Sequence, residues 1–345
     1  MRDEEDLRLL LGRFPVSRVA QLSPMEGGLI HQSYLVVGSL EGGEGPRYVL
    51  QGLHHKLSGD AILSDHAAVS EHLKGAGLLA PAPVRSLDGA LAVSDPKDAR
   101  RRWRLLEYIP GVTIFGRSAS VEEALIAGGA LADFHQAMMS FSGRLRSTHP
   151  GHDTAHHLQA LRDAFQAAPS ELQREYGARC EVLAARLESL ILPEELPRSI
   201  VHGDPKLTNF RFEERSATLI DLDTCALHTR LVDLGDALRS WCAGPEDQRG
   251  SVSWLRAEAF LEGYLSRAPA LSPLERVWLP RCAETITLEL CARFTRDIFE
   301  DSYFAYDSGR YESRRAHNHA RSLGMEHLAA EFAAGAERLS ALCAS

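Results

Sequence analysis

SIVHGDPKLTNFRFEERSATLIDLDT, residues 199 to 224, sets two short apolar runs beside three oxygen-bearing side chains. Ile200 and Val201 read as the end of a short strand, and His202, Gly203 and Asp204 follow it. Asn209 comes five residues after Asp204. A second short strand then delivers Leu219, Ile220 and Asp221. Two strand ends spaced like this are expected to bring Asp204, Asn209 and Asp221 to one spot. One carboxylate orients a hydroxyl there, while an amide and a second carboxylate hold Mg²⁺ against phosphates. The plainer reading is a polar loop with helix-capping Asp and Asn residues. It does not account for three such positions at these intervals beside two apolar strands.

HGDxxxxN followed by IDxD resembles the catalytic loop and metal-binding turn of the aminoglycoside phosphotransferase and choline kinase superfamily. The resemblance implies an α+β, bilobal, protein-kinase-like fold, with a small N-terminal antiparallel-sheet lobe at 1–109 and a larger, mostly helical C-terminal lobe at 110–345.

Composition sets the outer limits. A chain of 345 residues fits one large domain or two lobes, and 44% hydrophobic with 25% charged residues is ordinary for a globular protein. The net charge of −9 argues against nucleic acid and anionic membrane as partners. The six cysteines form no CxxC pair, so a zinc site is not expected. The acidic, amphipathic N-terminus lacks the apolar core of a signal peptide, and no apolar run reaches spanning length. A cytoplasmic location with reduced thiols is the expectation.

Along the chain, residues 4 to 13 suggest a short helix. EGGLIHQSYLVVGSLEGGEGPRYVLQGL, residues 26 to 53, reads as a hairpin. Gly27 and Gly28 precede its first strand, where backbone approaches a phosphate without a side-chain clash. Ser33 lies just beyond. Protein kinases carry a phosphate-pairing lysine on the next strand. Gln51 stands there instead and brings no charge. Lys56, His54 or an arginine elsewhere is left to compensate. Residues 60 to 74 are helical, with Asp60 as cap. Asp65 and Glu71 are candidates for the acidic partner of a strand lysine, although with no lysine a solvated helix face is expected for both. WRLLEYIPG, residues 103 to 111, resembles the superfamily's hinge, which places backbone near Glu107 to Ile109 against adenine.

From residue 119 the chain turns helical. Gly128 and Gly129 in one helix indicate close packing against a neighbour. His149, His152, His156 and His157 invite a metal reading, but solvated surface or helix-start residues are the expectation. Asp233 or Asp236, in LVDLGDALRSWC, is expected to brace the catalytic loop. Further helices are expected at 170–191, 252–267, 272–300 and 312–340.

A narrower resemblance covers residues 24 to 326. IHQSYLV, YVLQ, LADFHQAM, THPGHDT, LIDLDT, VDLGDALRS and ARFTRDIFEDSYF together look like the N-acetylhexosamine 1-kinases and their relatives. That resemblance implies transfer of the γ-phosphoryl of ATP, with Mg²⁺, to the anomeric hydroxyl of an N-acetylhexosamine. By motif position Asp204 is the catalytic base, Asn209 and Asp221 are metal ligands, and Asp223 adds a water-mediated contact. Gly28, Ser33, Gln51, Glu107 and Ile109 face the nucleotide, and Arg293 and Tyr303 face the sugar. Arg293 otherwise pairs with Glu289 or Asp297 along its own helix. The expected partners are therefore ATP and a small sugar, with no nucleic acid and no membrane. Two rivals stay open: a kinase of an aminoglycoside, amino alcohol or other sugar, and a non-catalytic nucleotide- or sugar-binding module.

Overall fold

Alternating apolar residues on three long strands give one sheet face to the core and leave the other polar. The computed structural model describes residues 3–16, 18–25, 31–40, 43–98, 100–115, 118–147 and 151–344. Strands β1 (Val19–Pro24), β2 (Gln32–Leu40), β3 (Gly43–Gly52), β4 (Pro83–Val84), β5 (Val93–Ser94) and β6 (Arg102–Glu107) form an antiparallel sheet. Its order is β1-β2-β3-β6-β4, with β5 also on β6. Tyr34 lies opposite Leu50, and Leu50 opposite Leu105. With Trp103 this row packs on Leu7, Leu10, Leu11 and Phe14 from helix α1 (Glu4–Leu11) and the turn after it. One residue along, Ser33, Gln51 and Arg104 stand opposite one another in the same register. The pleat turns that row to the other face.

The chain divides into two compact units. Unit 1 is Met1–Phe115, Ala137–His149 and Thr208–Ala226; unit 2 is Gly116–Gln136, Pro150–Leu207 and Leu227–Ser345. The expected single boundary after residue 109 does not describe this interleaving, and the reasons are local. In unit 1, strands β8 (Phe210–Glu213) and β9 (Ser216–Leu219) form a hairpin that bridges to Val112, with Val112 and Phe212 exchanging backbone hydrogen bonds of 2.8 Å. Gly111 makes this approach possible: its φ is +98°, and a Cβ there would sit 2.3 Å from the Phe212 carbonyl. Arg211 donates to the carbonyls of Ile109 (3.2 Å) and Gly111. Residues 137 to 149 join unit 1 through helix α2 (Asp60–Gly75). Its His72 donates to the Ala137 carbonyl (2.9 Å), and its Asp65 accepts from the amides of Arg146 and Ser147 (2.9 and 2.6 Å).

Asp65 is thus a buried backbone cap, not the solvated helix-face residue expected, whereas Glu71 is exposed. Asp60 is the first helical residue of α2 and Gly59 its cap. Strand β1 had no expectation attached to it. In unit 2 the order is most of α3 (Val121–Met138), then α4 (Thr154–Ala167), α5 (Ser170–Glu188) and β7 (Ser199–Val201). Next come α6 (Leu231–Cys242), α7 (Trp254–Leu265), α8 (Pro273–Glu300), α9 (Arg314–Ala334) and α10 (Ala336–Ala344). Helix α8 is the spine: α4, α5, α6, α9 and α10 all pack on it. A reciprocal Ser272–Glu275 capping box and Pro273 start it. The single helix expected over 312–340 is two, separated at Gly335. No helix among the described residues is long and apolar enough to cross a membrane. All six cysteines are buried.

Candidate active site

In unit 1 the polar row on the sheet leads to the turn after β9. Gln51 Nε2 donates to the Ser33 hydroxyl (3.2 Å), and Gln51 Oε1 accepts from Arg104 Nε (2.9 Å). Arg104, 1% exposed, then grips Asp223 with both terminal nitrogens: Nη1 to Oδ1 at 2.6 Å and Nη2 to Oδ2 at 2.9 Å. Two histidines complete the Asp223 shell. The His54 amide donates to His31 Nδ1 (3.2 Å), so His31 Nε2 carries a proton and donates to Asp223 Oδ2 (3.2 Å). His66, on α2, donates from Nε2 to the Pro81 carbonyl (2.8 Å), and its Nδ1 lies 2.9 Å from Asp223 Oδ1. Burial alone would raise the Asp223 pKa; the charge of Arg104 and the bonds from His31 and His66 outweigh it and hold the carboxyl well below the usual range. Asp223 is therefore a structural hub, bound directly by Arg104, His31 and His66.

Asp221 sits two residues before this hub, half-buried, in the left-handed conformation at φ 67°. A non-glycine residue held there is uncommon, and the clamp on Asp223 is what over-determines the turn. Asn209 is buried, and its carbonyl accepts from the Ile220 amide (2.9 Å), tying the start of the β8–β9 hairpin to its end. One ligand atom from each of His31, Asp221 and Asp223 lies within 4.8 Å of the others. Asn209 and Asp221 offer the oxygen donors that suit Mg²⁺. His31 spends its Nε2 proton on Asp223, so in this arrangement it is no ligand.

The remaining nucleotide-side expectations fall out as follows. Gly28 lies outside the described residues, as do Gly27 and His149. The amides of Glu107 and Tyr108 already bond to the carbonyls of Ala82 (2.8 Å) and Arg47 (3.2 Å), and the Glu107 carboxylate meets Lys74 at 2.7 Å. Ile109 is buried, its carbonyl taken by Arg211.

In unit 2 the loop after β7 is pinned from α6. Asp233, fully buried, accepts from the amides of His202 (2.7 Å) and Gly203 (2.8 Å) and from His135 Nε2 (2.9 Å). About two helical turns along the same face, Ser240 Oγ accepts from the Leu207 amide (2.9 Å). Of the two aspartates expected to brace the loop, Asp233 is the one. Burial would raise its pKa, but the His135 hydrogen bond and the charges of His135 and His202 bring it below the ordinary value. Asp204 is half-buried and ion-paired to Lys206.

The histidines after residue 150 are not a solvated cluster. Glu289 of α8, fully buried, accepts from His152 Nδ1 and Thr154 Oγ1, both at 2.9 Å, with His157 Nε2 at 3.9 Å. His156 is exposed as expected. Burial opposes a charge on His152, but the Glu289 carboxylate prevails and raises its pKa; His157 is lowered, chiefly by burial. Arg293 pairs with neither Glu289 nor Asp297; its guanidinium lies 6.0 Å above the Phe304 ring. Asp297 instead caps the amides of Ser302, Tyr303 and Phe304 (2.8–2.9 Å), which turns the chain after α8 and leaves the Tyr303 side chain exposed.

Arg104, His31, His66 and Lys206 were missed in the sequence. The signal for Arg104 was the missing charge at Gln51, and for Lys206 its place two residues after Asp204.

The sequence profile of the phosphotransferase enzyme family matches residues 21–270. A homoserine kinase of Xanthobacter autotrophicus is 29% identical over 223 residues, covering 63% of this chain and 64% of that enzyme, so less than two thirds of its length is spanned. A homoserine kinase of Methylocella silvestris is 27% identical over 301 residues and 86% of each chain. Among solved structures, an aminoglycoside phosphotransferase of Alicyclobacillus acidocaldarius aligns with TM-score 0.63 at 15% identity, covering 96% of both chains. An amicoumacin kinase in complex with AMP-PNP and Ca²⁺ aligns with TM-score 0.62 at 17% identity, covering 93% of this chain and 94% of that one. These likenesses establish the α+β fold shared by both.

Proposed function

Because the chain belongs to the phosphotransferase enzyme family, we propose that it transfers the γ-phosphoryl group of ATP to a hydroxyl of a small polar acceptor, with homoserine-like molecules first. The observation that carries this reading is the preparation of both halves of the 199–224 segment. The loop bearing Asp204 is held by two amide bonds to buried Asp233, and the turn bearing Asp221 is held by the Arg104 clamp on Asp223. Such bracing of two flanking loops is expected where positions matter more than covalent chemistry.

Asp204 accepts the proton of the acceptor hydroxyl as the new oxygen–phosphorus bond forms and ADP departs. Lys206 keeps that carboxylate oriented. Asn209 and Asp221 hold Mg²⁺, which when bound offsets charge on the phosphate oxygens. Gln51 binds no phosphate by charge; the positive charge near its place belongs to Arg104.

Homoserine kinases are among the proteins this chain resembles. The N-acetylhexosamine reading rests on the segments matched between residues 30 and 304 and stands second. Incubating the protein with Mg²⁺-ATP and a pool of homoserine, amino alcohols and N-acetylhexosamines, then identifying the phosphorylated product by NMR, tests both. No phosphorylated product from any member, with ATP bound, would favour a non-catalytic module.

A further inference from the structure

The peptide joining Gly203 to Asp204 is the last backbone link before the carboxylate assigned to the reaction, and α6 is not its only neighbour in unit 2. Gly203 is left-handed at φ +83°. Glycine adopts many other conformations as readily, so backbone preference alone does not fix the direction in which Asp204 leaves this pivot. Asp233 bonds the amides of His202 and Gly203, both on the near side of the pivot. Two other groups meet the far side. The Asp204 amide donates to His202 Nδ1 (3.3 Å). The Gly203 carbonyl lies beside Gly151, where a Cβ would sit 3.8 Å from the carbonyl oxygen, an ordinary van der Waals distance.

Gly151 is in turn tied to α4 and α8. Its carbonyl accepts from His157 Nε2 (3.4 Å). The next residue, His152, donates from Nδ1 to Glu289 Oε1, and Thr154 Oγ1 donates to Glu289 Oε2, both at 2.9 Å. Glu289, fully buried in the spine helix, therefore spends both carboxylate oxygens on the stretch 151–154 that abuts the catalytic loop. Taking a carboxylate out of water is costly, and an apolar side chain of similar volume would fill the same place in α8. What the carboxylate adds is two directional acceptors, which set the stretch in one position rather than merely pack against it.

We propose that Glu289 is a positioning residue for phosphoryl transfer. Held by its two oxygens, residues 151–154 back the Gly203 carbonyl. That contact limits rotation of the Gly203–Asp204 peptide and so sets the direction of the Asp204 carboxylate towards the acceptor hydroxyl. Asp233 fixes where the loop begins; Glu289 fixes how it leaves the glycine pivot. Glu289 acts only through other residues and needs no contact with acceptor or nucleotide. This inference rests on the phosphotransferase reading above, in which Asp204 takes the hydroxyl proton.

The test uses the full-length protein with Mg²⁺-ATP and whichever of L-homoserine and N-acetylglucosamine the wild type phosphorylates. Glu289→Gln keeps the side-chain volume and one acceptor oxygen. It should lower kcat about ten- to a hundred-fold, the cost of a misplacement on the order of 1 Å, with KM for ATP near wild type. In an Asp204→Asn background the same substitution should change turnover by at most about two-fold, because the group it aims is gone. An effect on folding alone would lower turnover by the same factor in both backgrounds. Hydrogen exchange needs no acceptor: in Glu289→Gln the Asp204 amide should exchange faster, while the Leu207 amide, held by Ser240, exchanges as in the wild type. Thr154→Val removes one donor to Glu289 and should reproduce the loss of kcat and the faster exchange, with Thr154→Ser restoring both; this pair carries the test should Glu289→Gln fail to fold. Wild-type kcat, wild-type exchange at Asp204, or equal losses in the two backgrounds would each overturn the positioning role while phosphotransfer stands. Wild-type turnover in Asp204→Asn alone would instead remove the reading on which the role depends.

Discussion

Arg104 and Asp223, 119 residues apart in the chain, form a two-pronged ion pair at 2.6 and 2.9 Å, with each side chain at most 2% exposed. The pair joins strand β6 to the turn that carries Asp221. Breaking a buried pair by removing one member costs about 3–5 kcal/mol, because the other charge is left uncompensated. Arg104→Gln should therefore lower the denaturation midpoint in urea by a large margin and also weaken Mg²⁺-ATP binding by loosening the Asp221 turn. A variant with wild-type midpoint and wild-type Mg²⁺-ATP affinity would show that the clamp supports neither.

Acid should act on the same pair. Asp223 is held well below the ordinary carboxylate range. A depressed folded-state value means its stabilisation is complete above the unfolded value of about 3.9 and is lost as pH falls towards the folded one. The stability difference between wild type and Asp223→Asn should stay constant from about pH 7 to pH 5 and narrow only below about pH 4. A difference already shrinking at neutral pH would contradict the assignment.

His152 carries the opposite sign. Its value is raised by Glu289 in spite of burial, so its contribution is complete below the unfolded value of about 6.5 and lost as pH rises through the folded one. His157 and His228 are depressed, mainly by burial, and run the other way. The melting temperature alone therefore mixes these with other shifted groups, His317 and His319 among them, which are also depressed by burial. The readout is the difference between wild type and His152→Asn, which should narrow as pH is raised above about 6.5; a gap that widens would reverse the sign.

Local pattern made the sheet, the helices and the Asp233 brace readable. Tyr34, Val36 and Leu50 alternate in a strand period, and LVDLGDALRSWC opens an amphipathic helix with Asp233 in its first turn. Arg104 escaped because in WRLLEY it is simply the polar residue of a strand; its partnership with Gln51 depends on the β3–β6 register, which no short-range pattern specifies. His152 and His157 looked solvated because Glu289, which draws them inside, lies more than a hundred residues later. The split at Gly335 was hidden because apolar spacing continues from Phe332 to Leu339 on both sides of it.

The paired glycines of α3 and α7 give a steric prediction. A Cβ on Gly128 would lie 1.9 Å from the Phe260 carbonyl, and one on Gly263 would lie 2.0 Å from the Leu125 carbonyl. The helices meet backbone to backbone, so neither neighbour can swing aside. Gly128→Ala gains helix propensity but should still destabilise by about 1–3 kcal/mol, the usual size of an overpacking cost. Thermal denaturation of the single alanine variants checks this, and an alanine that stabilises would refute the close approach.

Asp204 and Asp233 should separate chemistry from architecture within one unit. Asp204 is half-buried and paired with Lys206, whereas Asp233 is fully buried and holds two loop amides and a histidine. Asp204→Asn keeps the shape of the side chain and removes its basicity. Turnover should fall by about two to four orders of magnitude, the usual worth of a general base, with the melting temperature and ATP affinity near wild type. Asp233→Ala should instead unfold the protein at markedly lower temperature, since the amides of His202 and Gly203 lose their acceptor in a dry site, at about 1–3 kcal/mol for each group. Wild-type turnover in Asp204→Asn would take that residue out of the reaction, and wild-type stability in Asp233→Ala would mean the loop is held by other groups.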